Sequence, residues 1–252
     1  MGKSLSMMAT TGLLGYGFGE HSFRHGLEVD LDFIAADAGS MDPGPHYLGA
    51  GVPFVSRKAI KRDLGLMLEG ALEKGIPMLI GSAGGGGSAP QVALVREVIE
   101  EIAAERGFHF KMAVIHADQS KDYLHEKLKA GKIEPLGPID DATSETIEES
   151  HRVVAMMGVE PFQQALKNGA QVVLAGRATD ASIYSAIPLM RGFDPGLVWH
   201  LSKIIECAGA VAVPKTGQDC MIGTLAADHF LVAPADPDSR CTRMSVAAHT
   251  LY

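Results

Sequence analysis

The segment Gly81–Ser88 (GSAGGGGS) combines glycine with the start of a helical pattern. An apolar run, PMLIG, ends at Gly81, and the helical pattern begins behind Ser88. Glycine lets backbone N–H groups approach a ligand closely, and a helix N-terminus adds unpaired N–H donors and a positive dipole. We therefore predict a phosphate- or carboxylate-binding cradle. Its residues are Gly81, Ser82, Gly84, Gly85, Gly86, Gly87 and Ser88.

Two nucleotide-binding patterns are only partly present in this segment. It lacks the Gly-Lys-Ser/Thr ending of a P-loop, which disfavours a nucleotide hydrolase. Gly84, Gly86 and Ala89 fit a G-x-G-x-x-A pattern, but a run of four glycines meets that pattern easily. The acidic residue expected after the next strand, Asp118, also lies further along than the usual ~20 residues. An NAD-dependent oxidoreductase is thus a less favoured alternative.

A second glycine turn follows the run QVVLA, at Gly176–Asp180. The guanidinium of Arg177 can hold a carboxylate or phosphate through two hydrogen bonds, beside the Gly176 backbone. We predict that Gly176, Arg177 and Thr179 bind the substrate, that Thr179 also caps the next helix, and that Asp180, in the first turn of that helix, acts as a general base. The alternative is a loop ion pair in which Asp180 only favours the helix dipole.

Other acid–base candidates stand at strand ends and on one late helix. Asp37 ends the run DFIAAD as a candidate base, and His116 ends the run KMAVIH as a candidate acid or base. Asp42 and His46 carry metal-binding donors, but no third ligand follows at a diagnostic spacing, so the pattern predicts no metal site. Lys203 and Glu206 have the spacing of a solvated i,i+3 ion pair.

The elements that must position these residues alternate along the chain. Apolar runs predict buried parallel strands, separated by amphipathic helical patterns, and this order is typical of βαβ units. The predicted fold is α/β, with a mostly parallel sheet flanked by helices in a Rossmann-like three-layer arrangement. The strands are Asp32–Asp37, Pro77–Gly81, Lys111–His116 and Gln171–Ala175, and the helices are Ile60–Lys74, Val92–Arg106, Phe162–Asn168, Ser182–Arg191 and one from Pro195, capped by Asp194, to about Ala210.

The domain organisation rests on composition. The stretch Gly131–Ser150 is rich in Pro, Gly, Asp and Glu, which predicts a connection or lid between two lobes of one α/β domain spanning residues 1–252. The final run MSVAAHTLY begins like a helix but carries no helix stop signal. We therefore expect the chain to be the N-terminal part of a longer protein.

Bulk composition narrows the partners. The net charge of -8 gives no basic footprint for nucleic acid, and no run approaches the ~18 apolar residues of a membrane span. Three irregularly spaced cysteines predict neither a disulfide framework nor a zinc site. We expect a cytoplasmic protein that binds a small anionic molecule and forms a homo-oligomer or pairs with a small companion subunit.

The order of these pieces resembles the acyclic terpene utilisation (AtuA-like) family. The resemblance is carried by DFIAADAG, GSAGGGGS, VVLAGRATDASIYSAIPLMRGF, WHLSKIIECAGAVA and RCTRMSVAAHTLY, while the loop SMDPGPHYLG departs from the family pattern. It implies catabolism of branched acids and acyclic terpenes through acyl-CoA intermediates, in proteins that extend further and have a small companion domain. It also strengthens Arg177, Asp180 and Glu206 as site residues.

The leading hypothesis is an enzyme, a hydro-lyase or isomerase, that acts on a carboxylate or acyl-CoA. Arg177 and the Gly81–Ser88 amides would hold the anionic group while Asp37 or Asp180 moves a proton. No cofactor is predicted beyond coenzyme A as part of the substrate. The alternative is a non-catalytic metabolite-binding subunit that needs a companion chain.

Overall fold

The seven strands that the structure describes form one sheet. The computed structural model describes residues 4–214 and 218–251. The strands are Leu5–Ala9 (β1), Phe33–Gly39 (β2), Met78–Gly85 (β3), Met112–Ile115 (β4), Val172–Ala175 (β5), Met221–Leu225 (β6) and Phe230–Pro234 (β7). Their order across the sheet is β4-β5-β3-β2-β1-β6-β7. The first five in this order pair in parallel, whereas β6 pairs antiparallel with both β1 and β7.

Helices cover both faces of the sheet. They are Glu20–Gly26 (α1), His46–Ala50 (α2), Arg57–Lys74 (α3), Ala89–Arg106 (α4), Lys121–Lys129 (α5), Ser144–Glu149 (α6), Glu160–Lys167 (α7), Ser182–Met190 (α8), Pro195–Ile205 (α9) and Arg243–Thr250 (α10), with a short 3-10 helix at Ala208–Val211. One core contains residues of α1, α3 and α4, and the other contains residues of α7, α8 and α9. This is the predicted three-layer α/β fold, which the structure confirms.

Strand β2 shows why the sheet is buried on both sides. Phe33 and Ala35 belong to one core, and Ile34 and Ala36 belong to the other. Side chains alternate between the faces of a strand, so a strand covered on both faces must be apolar throughout. The continuous apolar run that predicted this strand therefore has a direct structural cause.

The observed element ends differ from the predicted ones where glycine occurs. The predicted strand Pro77–Gly81 runs on to Gly85, because Gly39 of β2 pairs with Gly85 across a β-bulge. The first sheet strand β1 and the antiparallel pair β6–β7 were not predicted. No helix in the described residues is long and apolar enough to cross a membrane.

Two helix caps had different outcomes. Asp194 caps α9 as predicted, with its side chain accepting a hydrogen bond from Leu197 N at 3.0 Å. The predicted Thr179 cap is wrong, because α8 begins only at Ser182 with Ala181 at its N-cap position. Asp180 consequently lies in the turn before the helix rather than in its first turn.

Candidate functional site

A cavity of about 540 Å³ lies where the carboxyl ends of β1, β2 and β5 meet the end of α9. Parallel α/β sheets commonly bind their ligands at this edge. The lining is rich in carboxyl groups and also holds two cations. The lining residues are Gly12, Leu13, Tyr16, Asp37, Gly39, Ser40, Met41, Asp42, Arg177, Asp180, Lys203, Glu206, Cys207, Ala210, Gln218 and His249.

Arg177 brings an unsatisfied cation to this cavity. Its side chain is 17% exposed, and its Nη2 atom lies 3.9 Å from Asp180 Oδ1. The buried Nη1 atom has no hydrogen-bond partner among residues 4–214 and 218–251. Buried polar groups in native proteins are nearly always hydrogen-bonded. An unpaired guanidinium donor at a cavity wall is therefore available to donate a hydrogen bond to a ligand oxygen.

Glycine at position 39 is needed for this placement of Arg177. A Cβ atom at Gly39 would lie 2.8 Å from Arg177 Nη1 and 2.5 Å from Ser82 Cβ. Such distances are well inside van der Waals contact, so any side chain here would displace the guanidinium. The lack of a side chain at Gly39, just after the register shift that follows Asp37 in β2, thus leaves room for the cation.

Asp37 lies on the cavity wall as a nearly fully buried carboxyl group. Its Oδ1 atom finds no hydrogen-bond partner within the described part of the chain. Burial, followed by the negative charge of Asp180, raises the pKa of Asp37 well above its ordinary value. Both effects disfavour the charged form. Asp37 therefore keeps its proton to a higher pH than an exposed aspartate does.

Two further carboxyl groups share the cavity and also have raised pKa values. Burial raises the pKa of Asp180, while the charges of Arg177 and Lys203 oppose that rise. Burial likewise raises the pKa of Glu206, against the hydrogen bond from Lys203. Perturbed carboxyl groups that cluster in a cleft are typical of functional sites.

Lys203 and Glu206 form the ion pair that their spacing predicted, but the pair is not fully solvated. The Glu206 side chain is only 7% exposed, while that of Lys203 is 48% exposed. Glu206 therefore contributes to the cavity wall, and Lys203 reaches toward solvent. The expectation of a solvated surface pair is wrong for Glu206, because α9 ends against the sheet and buries its last residues.

Tyr184 and Cys207 stand near these carboxyl groups. Burial and the charge of Asp37 raise the pKa of the Tyr184 phenol. Burial raises the pKa of Cys207 to about 11, so the thiol stays protonated and is a poor nucleophile at neutral pH.

The glycine-rich segment next to this cavity is filled by the protein itself. Gln91 Oε1 accepts hydrogen bonds from Ser88 N at 3.0 Å and from Ser88 Oγ at 2.9 Å. Its Nε2 atom donates to the carbonyls of Val52 and Gly84 at 2.9 and 3.0 Å. An anion on the first turn of α4 would have to displace Gln91, and a dinucleotide pyrophosphate would meet the same obstacle.

The two predicted turns are neighbours, but they pack against each other. A Cβ atom at Gly87 would lie 2.1 Å from the backbone nitrogen of Arg177, and one at Gly176 would lie 2.6 Å from the carbonyl oxygen of Gly87. Residues 81–88, all of which the structure describes, contribute nothing to the cavity lining. The glycine segment therefore does not face the cavity as the predicted cradle requires. Its glycines instead pack against the backbone of the Arg177 turn.

Ser82 connects the glycine segment to the Arg177 turn. Its Oγ atom donates to the carbonyl of Ala178 and accepts from the Ala178 N–H, both at 3.1 Å. Ser82 adopts a positive φ of 51°, which is unusual for a residue other than glycine. The strained backbone and the two hydrogen bonds together fix the position of Arg177 and Asp180.

The structure separates the remaining predicted site residues. Asp37, Arg177, Asp180 and Glu206 lie together on the cavity wall, as does Asp42. The exposed residues His116 and Thr179, both described by the structure, lie outside it. His116 stands at the end of the edge strand β4, which places it away from the ends of β1 and β2.

His46 lines a different concavity from the one that Asp42 lines. Across residues 4–214 and 218–251, no group of three or more His, Cys, Asp or Glu side chains is arranged to hold a metal ion. The stretch 131–150, predicted as a connection or lid, likewise contributes no described residue to the cavity lining.

Several lining residues had no sequence signal that pointed to a site. Gln218 and His249 come from the C-terminal part of the chain, beyond the βαβ pattern. Gln218 Oε1 accepts a hydrogen bond from Gly12 N at 3.2 Å and thereby joins this region to the end of β1. The antiparallel return of the chain along β6, which the sequence pattern did not reveal, brings these residues to the cavity.

A comparison with protein families identifies a matching family. The model of the acyclic terpene utilisation family protein AtuA matches residues 57–215, which is more than half of the chain. The match includes the Arg177 turn and Glu206 and ends before α10. No curated protein and no solved structure matches the chain significantly.

Proposed function

The chain belongs to the acyclic terpene utilisation (AtuA) family, and on this premise we propose that it is an enzyme of acid catabolism. The family assignment, which the sequence resemblance predicted, connects the chain with the catabolism of acyclic terpenes. The proposed reaction is a hydration or isomerisation of a carboxylate or acyl-CoA. It would proceed by movement of a proton next to the carbonyl group.

The observation that carries the proposal is the unpaired Nη1 atom of Arg177 beside protonatable carboxyl groups in one cavity. A guanidinium N–H can donate to a carboxylate oxygen or to a thioester carbonyl oxygen. A donor at this position stabilises the negative charge that develops on the oxygen when a neighbouring carbon loses a proton. Arg177 therefore combines binding with stabilisation of the transition state.

Asp37 and Asp180 supply the two proton-transfer roles. Asp37 is the more deeply buried of the two, so it holds the proton and serves as the acid. Asp180 is 38% exposed and lies beside Arg177, so it ionises more readily and serves as the base. Two carboxyl groups whose surroundings separate their pKa values are a common acid–base arrangement.

A hydration step balances with these two groups. Asp180 takes a proton from water, the water oxygen bonds to the β-carbon of an unsaturated acyl group, and Asp37 gives its proton to the α-carbon. The proton then returns from Asp180 to Asp37 through solvent. In an isomerisation, Asp180 removes a proton from one carbon and Asp37 delivers one to another.

Calorimetric titration of the Arg177→Ala variant with hexanoate and with a hexenoyl thioester of coenzyme A tests the proposal. Hydrogen bonds to charged groups contribute about 1.5–3 kcal/mol, so affinity should fall by roughly 10- to 100-fold. Arg96→Ala is the matched control, because Arg96 pairs with Glu100 on the exposed side of α4. Equal affinity of wild type and Arg177→Ala for every ligand bound would contradict the proposal.

Turnover assays distinguish an enzyme from a binding subunit. Incubation of the hexenoyl thioester in D₂O should incorporate deuterium at the α-carbon, since Asp37 exchanges its proton with solvent. Binding without any incorporation would favour a metabolite-binding subunit, and activity would then depend on a companion chain. Bound NAD(H) and a redox change would instead indicate the oxidoreductase alternative.

A further inference from the structure

A second cavity adjoins the one that holds Arg177. It encloses about 360 Å³ between the 3-10 helix at Ala208–Val211 and α10. Its lining residues are Ala210, Val213, Thr242, Met244, Ser245, Ala248 and His249. Ala210 and His249 line both cavities, so the two spaces meet along a common wall.

The polar side chains at the start of α10 already satisfy each other. Thr242 Oγ1 accepts from Ser245 N at 3.0 Å, and Ser245 Oγ accepts from Thr242 N at 2.9 Å. Ser245 Oγ also lies 3.1 Å from the Thr242 carbonyl oxygen, to which it donates. A reciprocal helix cap of this kind leaves these groups little capacity for a ligand.

Apart from His249, which also lines the first cavity, the rest of the second cavity is apolar. Ala210, Val213, Met244 and Ala248 contribute only carbon and sulfur atoms from their side chains. The Met244 side chain is 79% exposed, and methionine adapts its shape to an apolar guest. An apolar group placed here would remove this surface from water at no cost in hydrogen bonds.

The two cavities thus differ in chemistry but share a wall. The first offers a guanidinium donor and proton-transfer groups, whereas the second offers hydrocarbon contacts. We propose that the second cavity binds the aliphatic chain of the substrate and that Ala248 sets the chain length accepted. This inference rests on the proposed function, since the acid group of the same molecule would lie against Arg177.

Ala248 is the position where this selection can be changed most directly. It lies on α10 and lines the second cavity, whereas the neighbouring Ala247 lines neither cavity. Both alanines are exposed, so either position accepts a larger side chain without disturbing a core. Ala248→Trp would fill the cavity, and Ala247→Trp is the matched control.

Titration with butyrate, hexanoate and octanoate tests the proposal. Each buried methylene contributes up to about fourfold in affinity, so octanoate should bind wild type roughly 10- to 100-fold more tightly than butyrate. In Ala248→Trp this ratio should fall to about threefold or less, while butyrate affinity stays unchanged. Ala247→Trp should keep the wild-type ratio.

A second variant guards against misfolding of Ala248→Trp. Met244→Gln places an amide at a highly exposed position, and it should weaken octanoate binding several-fold without weakening butyrate binding. Circular dichroism and thermal melting would establish that each variant is folded. Wild-type affinity that does not grow with chain length, or Ala248→Trp behaving like Ala247→Trp, would overturn the inference.

The same titrations separate this inference from the proposed function. Arg177→Ala should weaken all three acids by a similar factor and leave the octanoate-to-butyrate ratio intact. Binding that depends on Arg177 but not on chain length would overturn only the aliphatic site. Binding that depends on chain length but not on Arg177 would overturn the proposed role of the cation, and no binding of any acid would overturn both.

Discussion

The carboxyl ends of β3 and β5 both carry glycine followed by polar residues, yet their polar groups find partners in different places. After β3, Gln91 and Ser88 hydrogen-bond to each other and to the surrounding backbone. After β5, Arg177 Nη1 and Asp180 Oδ1 have no hydrogen-bond partner in the described part of the chain. Glycine creates close backbone approach at both ends, but only the second end leaves donors and acceptors for a ligand.

The same contrast separates two buried aspartates. Asp63 is fully buried, but it accepts hydrogen bonds from Gly15 N at 2.9 Å and Gly17 N at 3.1 Å and pairs with Arg62. Asp37 is buried almost as deeply and keeps an unpaired oxygen at the cavity. The presence of unpaired polar atoms, rather than burial or glycine content, distinguishes the candidate site from the region around Asp63.

The largest effect is expected from Asp37→Asn. Loss of a positioned proton donor lowers turnover by about 10²- to 10⁴-fold, which steady-state assays with the preferred thioester would measure. The substitution should also raise the free energy of unfolding at pH 7. The pKa of Asp37 is raised in the folded state, so the protonated side chain stabilises the folded protein at low pH. This contribution to the free energy of unfolding is lost as the pH rises through the pKa of Asp37 in the folded protein.

The amide that Asp37→Asn introduces would keep the shape of the side chain and cannot ionise. A gain of about 0.5–2 kcal/mol is expected, which corresponds to roughly 2–4 °C in Tm per kcal/mol for a chain of this size. Thermal melting of wild type and Asp37→Asn at pH 7 provides the measurement. Full activity of Asp37→Asn, or a lower Tm, would contradict the proposal that Asp37 acts as a proton donor and differs from a structural aspartate such as Asp63.

The second effect concerns the glycine segment. Gln91→Ala removes hydrogen bonds to Ser88, Val52 and Gly84 and leaves buried groups without partners. We therefore expect the free energy of unfolding to fall by about 3 kcal/mol. Affinity for hexanoate should stay unchanged, because Gln91 does not line the cavity. Gln164→Ala, at an exposed position on α7, is the control and should cost little. Weaker ligand binding by a folded Gln91→Ala protein would indicate that the glycine segment takes part in ligand binding after all.

A third experiment reverses the sign of the first. Asp63→Asn replaces a carboxylate oxygen that accepts two backbone hydrogen bonds and faces Arg62. Chemical denaturation should show that Asp63→Asn lowers the free energy of unfolding by about 1–3 kcal/mol, whereas Asp37→Asn raises it. If both variants shifted the denaturation midpoint in the same direction, the partner-based contrast between the two aspartates would fail.

The sequence predicted the central part of the fold because its strands are apolar on both faces. Asp32–Asp37 and Gln171–Ala175 correspond closely to β2 and β5, which both cores bury. The end of β3 was predicted too early, because glycine has high turn propensity while pairing of Gly85 with Gly39 extends the strand. Local propensity does not reveal such a long-range pairing.

The sequence predicted only those residues of the candidate site that combine a charged side chain with a position near a strand end. Arg177 and Asp180 follow the end of β5, and Asp37 lies near the end of β2. The geometry of a parallel sheet brings such ends together. The glycine segment had the pattern of an anion cradle, but the pattern could not show that Gln91 occupies it. Gln218 and His249 reach the cavity through β6 and α10, whose antiparallel and peripheral positions depend on tertiary packing.

The smallest expected effect, a pH dependence of binding, distinguishes the two strand ends without any substitution. The pKa values of Asp37, Asp180 and Glu206 are already raised by burial. A bound carboxylate adds negative charge and would raise them further, so binding takes up protons and affinity rises as pH falls. We expect hexanoate to bind about two- to fivefold more tightly at pH 6 than at pH 8, within the tenfold per pH unit that uptake of one proton allows.

Calorimetry in two buffers of different ionisation enthalpy would count the protons directly. A ligand held by backbone amides alone, as at the glycine segment, would show no such dependence, and affinity that falls with decreasing pH would contradict binding beside these carboxyl groups.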